Sequence, residues 1–198
     1  MWDLRSSIVI GVAGMPGAGK ATVVEAAKRM GYGVVVMGDE VREETKRRNL
    51  DLTPENVGKV MLLMRQEEGS AAVARRCIPK IERSKKRVII VDGIRSLYEA
   101  DAFKKHFPKF KLLAIHTSPE TRFRRLFKRK RSDDPAKWET FLERDWRELR
   151  VGLGSVIASA DVMIANEGRK EALKKEVQKF LENVKKSGRS TRASGSRG

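Results

Sequence analysis

Apolar residues fall along this chain in short unbroken runs, not in alternation. SIVIGVA (Ser7 to Ala13), GVVVM (Gly33 to Met37), RVIIVD (Arg87 to Asp92), KLLAIHT (Lys111 to Thr117) and DVMIA (Asp161 to Ala165) are the clearest. Runs of this kind predict strands covered on both faces, as in a parallel sheet. The stretches between them have helical spacing, so βαβ crossovers join the strands. Ala21 to Met30 predicts one such helix. Thr53-Pro54-Glu55 starts another, with Thr as N-cap and Pro at the first helical position. Val57, Val60, Met61 and Met64 then share one face. Ser118-Pro119-Glu120 repeats the start signal. Two crossovers are unusually long. One covers about residues 39–84, with breaks near Asn49 and Gly69; the other covers about 119–150, with a break near Asp133-Asp134-Pro135. Both predict inserts that fold over a site. The expected architecture is α/β: three layers around a five-stranded parallel sheet, in one domain over about residues 1–184.

The first run leads into a glycine-rich turn. Gly14, Met15, Pro16, Gly17, Ala18, Gly19 and Lys20 follow a strand and precede a helix. That is the setting in which a phosphate-binding loop works, and it predicts the P-loop NTPase variant of the fold. Glycines let successive backbone N–H groups turn inward toward phosphate oxygens. The following helix adds unpaired donors and the positive end of its dipole. Lys20 would place an ammonium near the β- and γ-phosphates of ATP. The residue after the lysine usually carries a hydroxyl that ligates Mg²⁺. Here it is Ala21, and Thr22 beside it is rotated by about 100° on a helix. Mg²⁺ keeps several waters, so weakened metal binding is expected, not its loss.

Asp92 ends the third run, where open α/β sheets bind ligands. It is a candidate metal anchor. Arg95, three residues on, is placed to reach an anionic acceptor. After the second run, Asp39 suits either an N-cap or a role beside the acceptor, with Arg42 close behind.

Charge adds a second theme. The net charge is +17 over 198 residues. Residues 185–198, KKSGRSTRASGSRG, carry five basic residues and no acid, leaving about +12. This segment predicts a disordered basic tail with weak nucleic-acid contact. RFRRLFKRKR, Arg122 to Arg131, holds seven basic residues in ten. They cannot all face one site; Arg125 and Arg129, four apart, share a side. No apolar run approaches the roughly 20 residues of a membrane span. MWDLRSS does not resemble a secretory signal, and a lone Cys77 suits packing in a reducing cytoplasm.

GMPGAGK, GDEVREE, VIIVDGIRS and RLFKRKRSDD, in that order, resemble the nucleoside monophosphate kinase group. The order is similar to adenylate kinase and dephospho-coenzyme A kinase. The chain to about Val184 resembles an archaeal family of P-loop proteins related to them. The resemblance implies that residues 39–84 form a helical acceptor-binding insert, with Asp39, Arg42 and Arg95 at the acceptor. It implies a short arginine-rich lid over the transferring phosphate, with Arg125, Arg129 and Arg131 in it. A further lid arginine is Arg144 or Arg147; spacing does not decide between them. It also implies that the loop at Asn166 and Gly168 lies at the base of ATP, largely through backbone. Ala21 and the sequence DGIR, without the group's Phe-Pro, depart from the pattern. The expected activity is transfer of the γ-phosphate of ATP, with Mg²⁺, to AMP or a related monophosphate. Phosphorylation of a hydroxyl, with Asp39 as base, stays open. So do a slow ATPase or nucleotide-switched RNA- or ribosome-associated protein, and a degenerate enzyme that senses ATP or AMP.

Overall fold

A computed structural model describes residues 7–130 and 134–193, those from 187 on as helix backbone alone. Five parallel strands stand in the order β2-β3-β1-β4-β5: β1 (Ile8–Ala13), β2 (Gly33–Val36), β3 (Val88–Asp92), β4 (Phe110–His116) and β5 (Val162–Ala165). β1, in the middle, is buried along its whole length. Register is continuous, with Ile10 opposite Ile90 on one side and Lys111 on the other. The unbroken apolar runs describe β1, β3 and most of β4 well. β2 and β5 are edge strands. β2 is half-buried throughout, and Met163 in β5 is exposed.

Two helical layers cover the sheet. α1 (Lys20–Arg29) and α9 (Lys170–Ala193) pack one face, where Val23, Ala27, Leu173, Val177 and Leu181 meet Ile8, Ile10 and Ile115. On the other face lie α4 (Ala72–Arg83), α5 (Leu97–His106) and α8 (Leu153–Ala158). Cys77 of α4 is fully buried there, and burial pushes its thiol up to about 12. α9 runs to Ala193, past Lys185, where composition predicts a disordered tail; residues 194–198 lie outside the described residues. No helix among the described residues is long and apolar enough to cross a membrane.

The first insert comprises α2 (Met37–Arg47), α3 (Pro54–Glu68) and α4. β2 stops at Val36 and α2 starts at Met37, so Asp39 lies in the first helical turn, not at the cap. Thr53 caps α3 by accepting from the Asn56 N–H at 3.2 Å. The breaks fall at Asn49 (φ 56°) and Gly69 (φ 88°). Ion pairs join the three helices. Glu44 of α2 accepts from Arg48 at 2.9 Å and from Arg76 of α4 at 2.6 Å. Those two guanidiniums, Arg76 foremost, hold its carboxyl below the usual range. Arg48 also reaches Glu67 of α3. The second insert holds α6 (Pro119–Arg129) and α7 (Trp138–Val151).

Candidate nucleotide site

The segments that follow β1, β2, β3 and β5 at the carboxyl edge of the sheet open onto one cleft of about 620 Å³, which Arg125, Leu126 and Arg129 of α6 also line. Its floor is the Gly14–Gly19 turn. A side chain at Gly14 would sit 2.5 Å from the Ile115 carbonyl oxygen, and one at Gly19 2.5 Å from Asn166 Nδ2. Gly19 also has φ +108°, which L side chains rarely adopt. The turn is held from outside. Ala18 O accepts from Thr117 Oγ1 at 3.1 Å and from Asn166 Nδ2 at 2.8 Å. Lys20 Nζ folds back onto the carbonyls of Gly14 (2.5 Å) and Met15 (3.4 Å). Burial lowers its pKa, against the pull of Asp92. Ala21, exposed, and Thr22, buried, follow at the cleft wall.

Asp92 stands at the end of β3. Its Oδ1 is buried with no hydrogen-bond partner. Burial raises its pKa, and the nearby Lys20 and Arg95 only partly offset this. A buried, unpartnered carboxylate oxygen beside a phosphate loop fits a hard cation or its water. The backbone beyond is fixed by a capping box of Ser96 and Glu99 on α5. Glu99, fully buried, accepts from the Arg95 N–H at 2.8 Å and pairs with Arg65 of α3. The S-x-x-E spacing of Ser96 and Glu99 is the sequence signal for this cap. Arg95 itself lies between α3 and α7, 3.5 Å from Met61 Sδ and 3.4 Å from Glu148 Oε1.

The remaining expected residues separate into two groups. Arg42, Arg95, Arg125 and Arg129 all line the cleft, as do Asn166 and Gly168. Asp39 does not; it is half-exposed and paired with Arg42. Arg131 lies outside the described residues. Arg144 lines the cleft, whereas Arg147 borders a separate surface depression with Trp146 and Arg150. Arg125 donates to Gly168 O at 3.2 Å and to Asn166 Oδ1 at 3.4 Å. Arg129 is gripped by Asp134 at 2.9 and 2.5 Å. Asn166 differs from the expected backbone contact. Its N–H donates to His116 O at 2.8 Å and its carbonyl accepts from Thr117, so its backbone is engaged within the fold.

Arg122 is the residue whose role composition concealed. It is 3% exposed, paired with Asp145 of α7 at 2.8 and 2.5 Å. It also donates to Thr117 O (3.1 Å) and Pro16 O (3.3 Å), and its guanidinium lies 5.0 Å from the Phe141 ring centre. It ties lid, sheet and phosphate loop together. Along the cleft wall seven side chains are cations and two, Asp92 and Glu148, are acids, an imbalance suited to a polyanion.

Comparison with known proteins agrees with this geometry. The AAA domain family matches residues 13–141. The UPF0200 protein of Methanocaldococcus jannaschii is 49% identical over 179 residues, covering 89% of this chain and 90% of that protein. The chain belongs to the UPF0200 family. A second UPF0200 protein, from Thermococcus gammatolerans, is 46% identical over 181 residues, covering 89% of this chain and 95% of its own length. Among solved structures, TT1252 from Thermus thermophilus superposes with a TM-score of 0.60 at 20% identity, over 89% of this chain and 97% of that one. Shikimate kinase from Bacteroides thetaiotaomicron gives 0.59 at 16% identity, over 88% and 98%. This UPF0200 member therefore has the fold of the P-loop kinases.

Proposed function

We propose that this protein is an ATP-dependent phosphotransferase that moves the γ-phosphate of ATP to a small anionic acceptor, AMP or a related monophosphate. The observation that carries the reading is the cleft itself. A phosphate loop, an insert and a lid converge there, with seven cations against two acids. The polyphosphate lies along the N–H groups of residues 17–20, since Pro16 has none, and Lys20 leaves the Gly14 carbonyl to meet it. Asp92 would hold Mg²⁺, with water in place of the hydroxyl that Ala21 lacks. Mg²⁺, when bound, neutralises charge on the transferring phosphate. Arg125, Arg129 and Arg144 face the same space from the lid. An always-charged, forked side chain there stabilises the equatorial oxygens and excludes water. Arg42 and Arg95 hold the acceptor.

In the step itself an oxygen of the acceptor phosphate attacks the γ-phosphorus. The bond to the β-bridging oxygen breaks, and ADP leaves. A phosphate nucleophile needs no base. Asp39 is engaged by its ion pair with Arg42, which favours such an acceptor over a hydroxyl.

The test offers [γ-³²P]ATP with nucleoside monophosphates, dephospho-coenzyme A, shikimate and RNA. Label is expected on a monophosphate, and Lys20→Ala should abolish its transfer and weaken ATP binding. Label on none of them, with only slow phosphate release, would replace this reading by a nucleotide switch. ATP affinity unchanged in Lys20→Ala would remove the site.

A further inference from the structure

The face opposite the cleft is also strongly charged, and nothing in the proposed reaction uses it. In a parallel sheet every strand starts at one edge, and every crossover helix ends there. α1 ends at this edge with Lys28 and Arg29, and α5 ends with Lys104 and Lys105, all exposed. The turn between α4 and β3 adds exposed Lys85 and Lys86. These segments are neighbours. Ile8 N–H donates to Arg87 O at 2.8 Å, Val9 N–H to Lys109 O at 3.2 Å, and His106 meets Glu82 at 2.7 Å. Tyr32 OH donates to Leu181 O at 3.3 Å, which brings α9 to the same edge just before exposed Lys185 and Lys186.

Their pairing differs from that of the cations that brace the insert and the lid. In the insert and lid, Arg48, Arg65, Arg76, Lys80 and Arg122 all have carboxylate partners. Lys28, Arg29, Lys85, Lys86, Lys104 and Lys105 form no ion pair among the described residues. Basic residues in a last helical turn complement the helix dipole. That accounts for α1 and α5 but not for the turn at Lys85-Lys86. The large exposed apolar residues are Leu50, Leu52, Leu62, Leu97, Tyr98, Phe127, Trp146, Leu149 and Met163, and none belongs to these basic segments.

We infer that this edge of the sheet is a docking face for the phosphate backbone of double-stranded RNA. Five strands spaced about 4.8 Å apart, with a helix layer on each side, make a face about 30 Å across. Unpaired cations release counterions from a polyanion on contact. Among the described residues no exposed Phe, Tyr or Trp belongs to these segments, and the ring of His106 is paired with Glu82, so single strands gain little there. Among the described residues these segments also expose no large apolar side chain to insert into a membrane. The segments that build it are short turns and helix ends, not an element that enters the major groove of B-DNA. A-form RNA is read from outside, by shape and phosphate contact.

The test is fluorescence anisotropy of a labelled RNA duplex with the full chain across a salt series. An equivalent DNA duplex and phosphatidylserine vesicles serve as competitors. Engaging about five phosphates gives a log–log salt slope of about −4.5. Lys85→Glu with Lys86→Glu, and separately Lys104→Glu with Lys105→Glu, should each weaken binding at least tenfold and flatten the slope. Arg147→Glu with Arg150→Glu, an equal charge change beside Trp146, should stay within twofold of the parent. ATP affinity should hold in all variants, which separates this result from the fate of the kinase reading. Rim variants that bind as the parent does overturn the inference. So does loss of binding confined to Arg189→Glu with Arg192→Glu, or a preference for DNA or vesicles over RNA.

Discussion

Asp145→Ala should be among the most damaging single substitutions away from the phosphate loop. It removes the partner of Arg122, whose guanidinium is 3% exposed. Only the carbonyls of Thr117 and Pro16, at 3.1 and 3.3 Å, and the Phe141 ring would then face that charge. Breaking a buried pair on one side costs about 3–5 kcal/mol, because the remaining charge stays desolvated. At about 2–4 °C per kcal/mol for a chain of this size, Tm should fall by about 6–20 °C. Glu43→Ala, which removes a partly exposed partner of Lys80 (side chains 56% and 35% exposed), is the control and should cost under about 1 kcal/mol. Urea denaturation with unchanged m-values measures both. The double variant Arg122→Met with Asp145→Leu removes both charges and should recover most of the loss. If Asp145→Ala costs no more than Glu43→Ala, the buried clasp is not what holds the lid to the loop.

Two further outcomes follow from the phosphate end. Asp92→Asn should stabilise the unliganded protein at pH 7. Burial raises the Asp92 pKa above its ordinary value, so ionising it lowers stability as pH rises through that raised value. The variant's advantage in thermal melts should therefore shrink as pH falls toward 4, while its Mg²⁺-dependent ATP binding weakens at least about tenfold. A variant less stable than the parent at pH 7 would contradict the burial argument. Ala21→Ser restores a hydroxyl at the start of α1 and should lower the Mg²⁺ concentration for half-maximal ATP binding about fivefold, equivalent to about 1 kcal/mol. No change in a Mg²⁺ titration would mean that Asp92 and water already satisfy the ion.

Local chemistry made much of this fold legible. The glycine spacing at 14–19, the apolar runs and the Thr53-Pro54 start each depend on neighbours in sequence, and each corresponds to its element. Arg125 and Arg129 face the cleft together because helical spacing alone decides that. Arg122 did not stand out from its basic segment, because its burial depends on Asp145, 23 residues away on another helix. Arg144 and Arg147 are equivalent in composition; only the packing of α7 separates them. The edge position of β2 was hidden because its four residues are as apolar as those of a central strand. Spatial strand order, not local pattern, places it outside. α9 continues past Lys185 although the composition there is polar, because helix already formed upstream is extended residue by residue at little cost.

The ionic ties at Glu44 reach from α2 to α4 directly and to α3 through Arg48. Such a cross-brace makes the three helices one stiff jaw. Because Cys77 and Ile81 seat α4 in the core of the sheet, the brace also fastens α2 and α3 to that core, and its grip slackens as ionic strength rises.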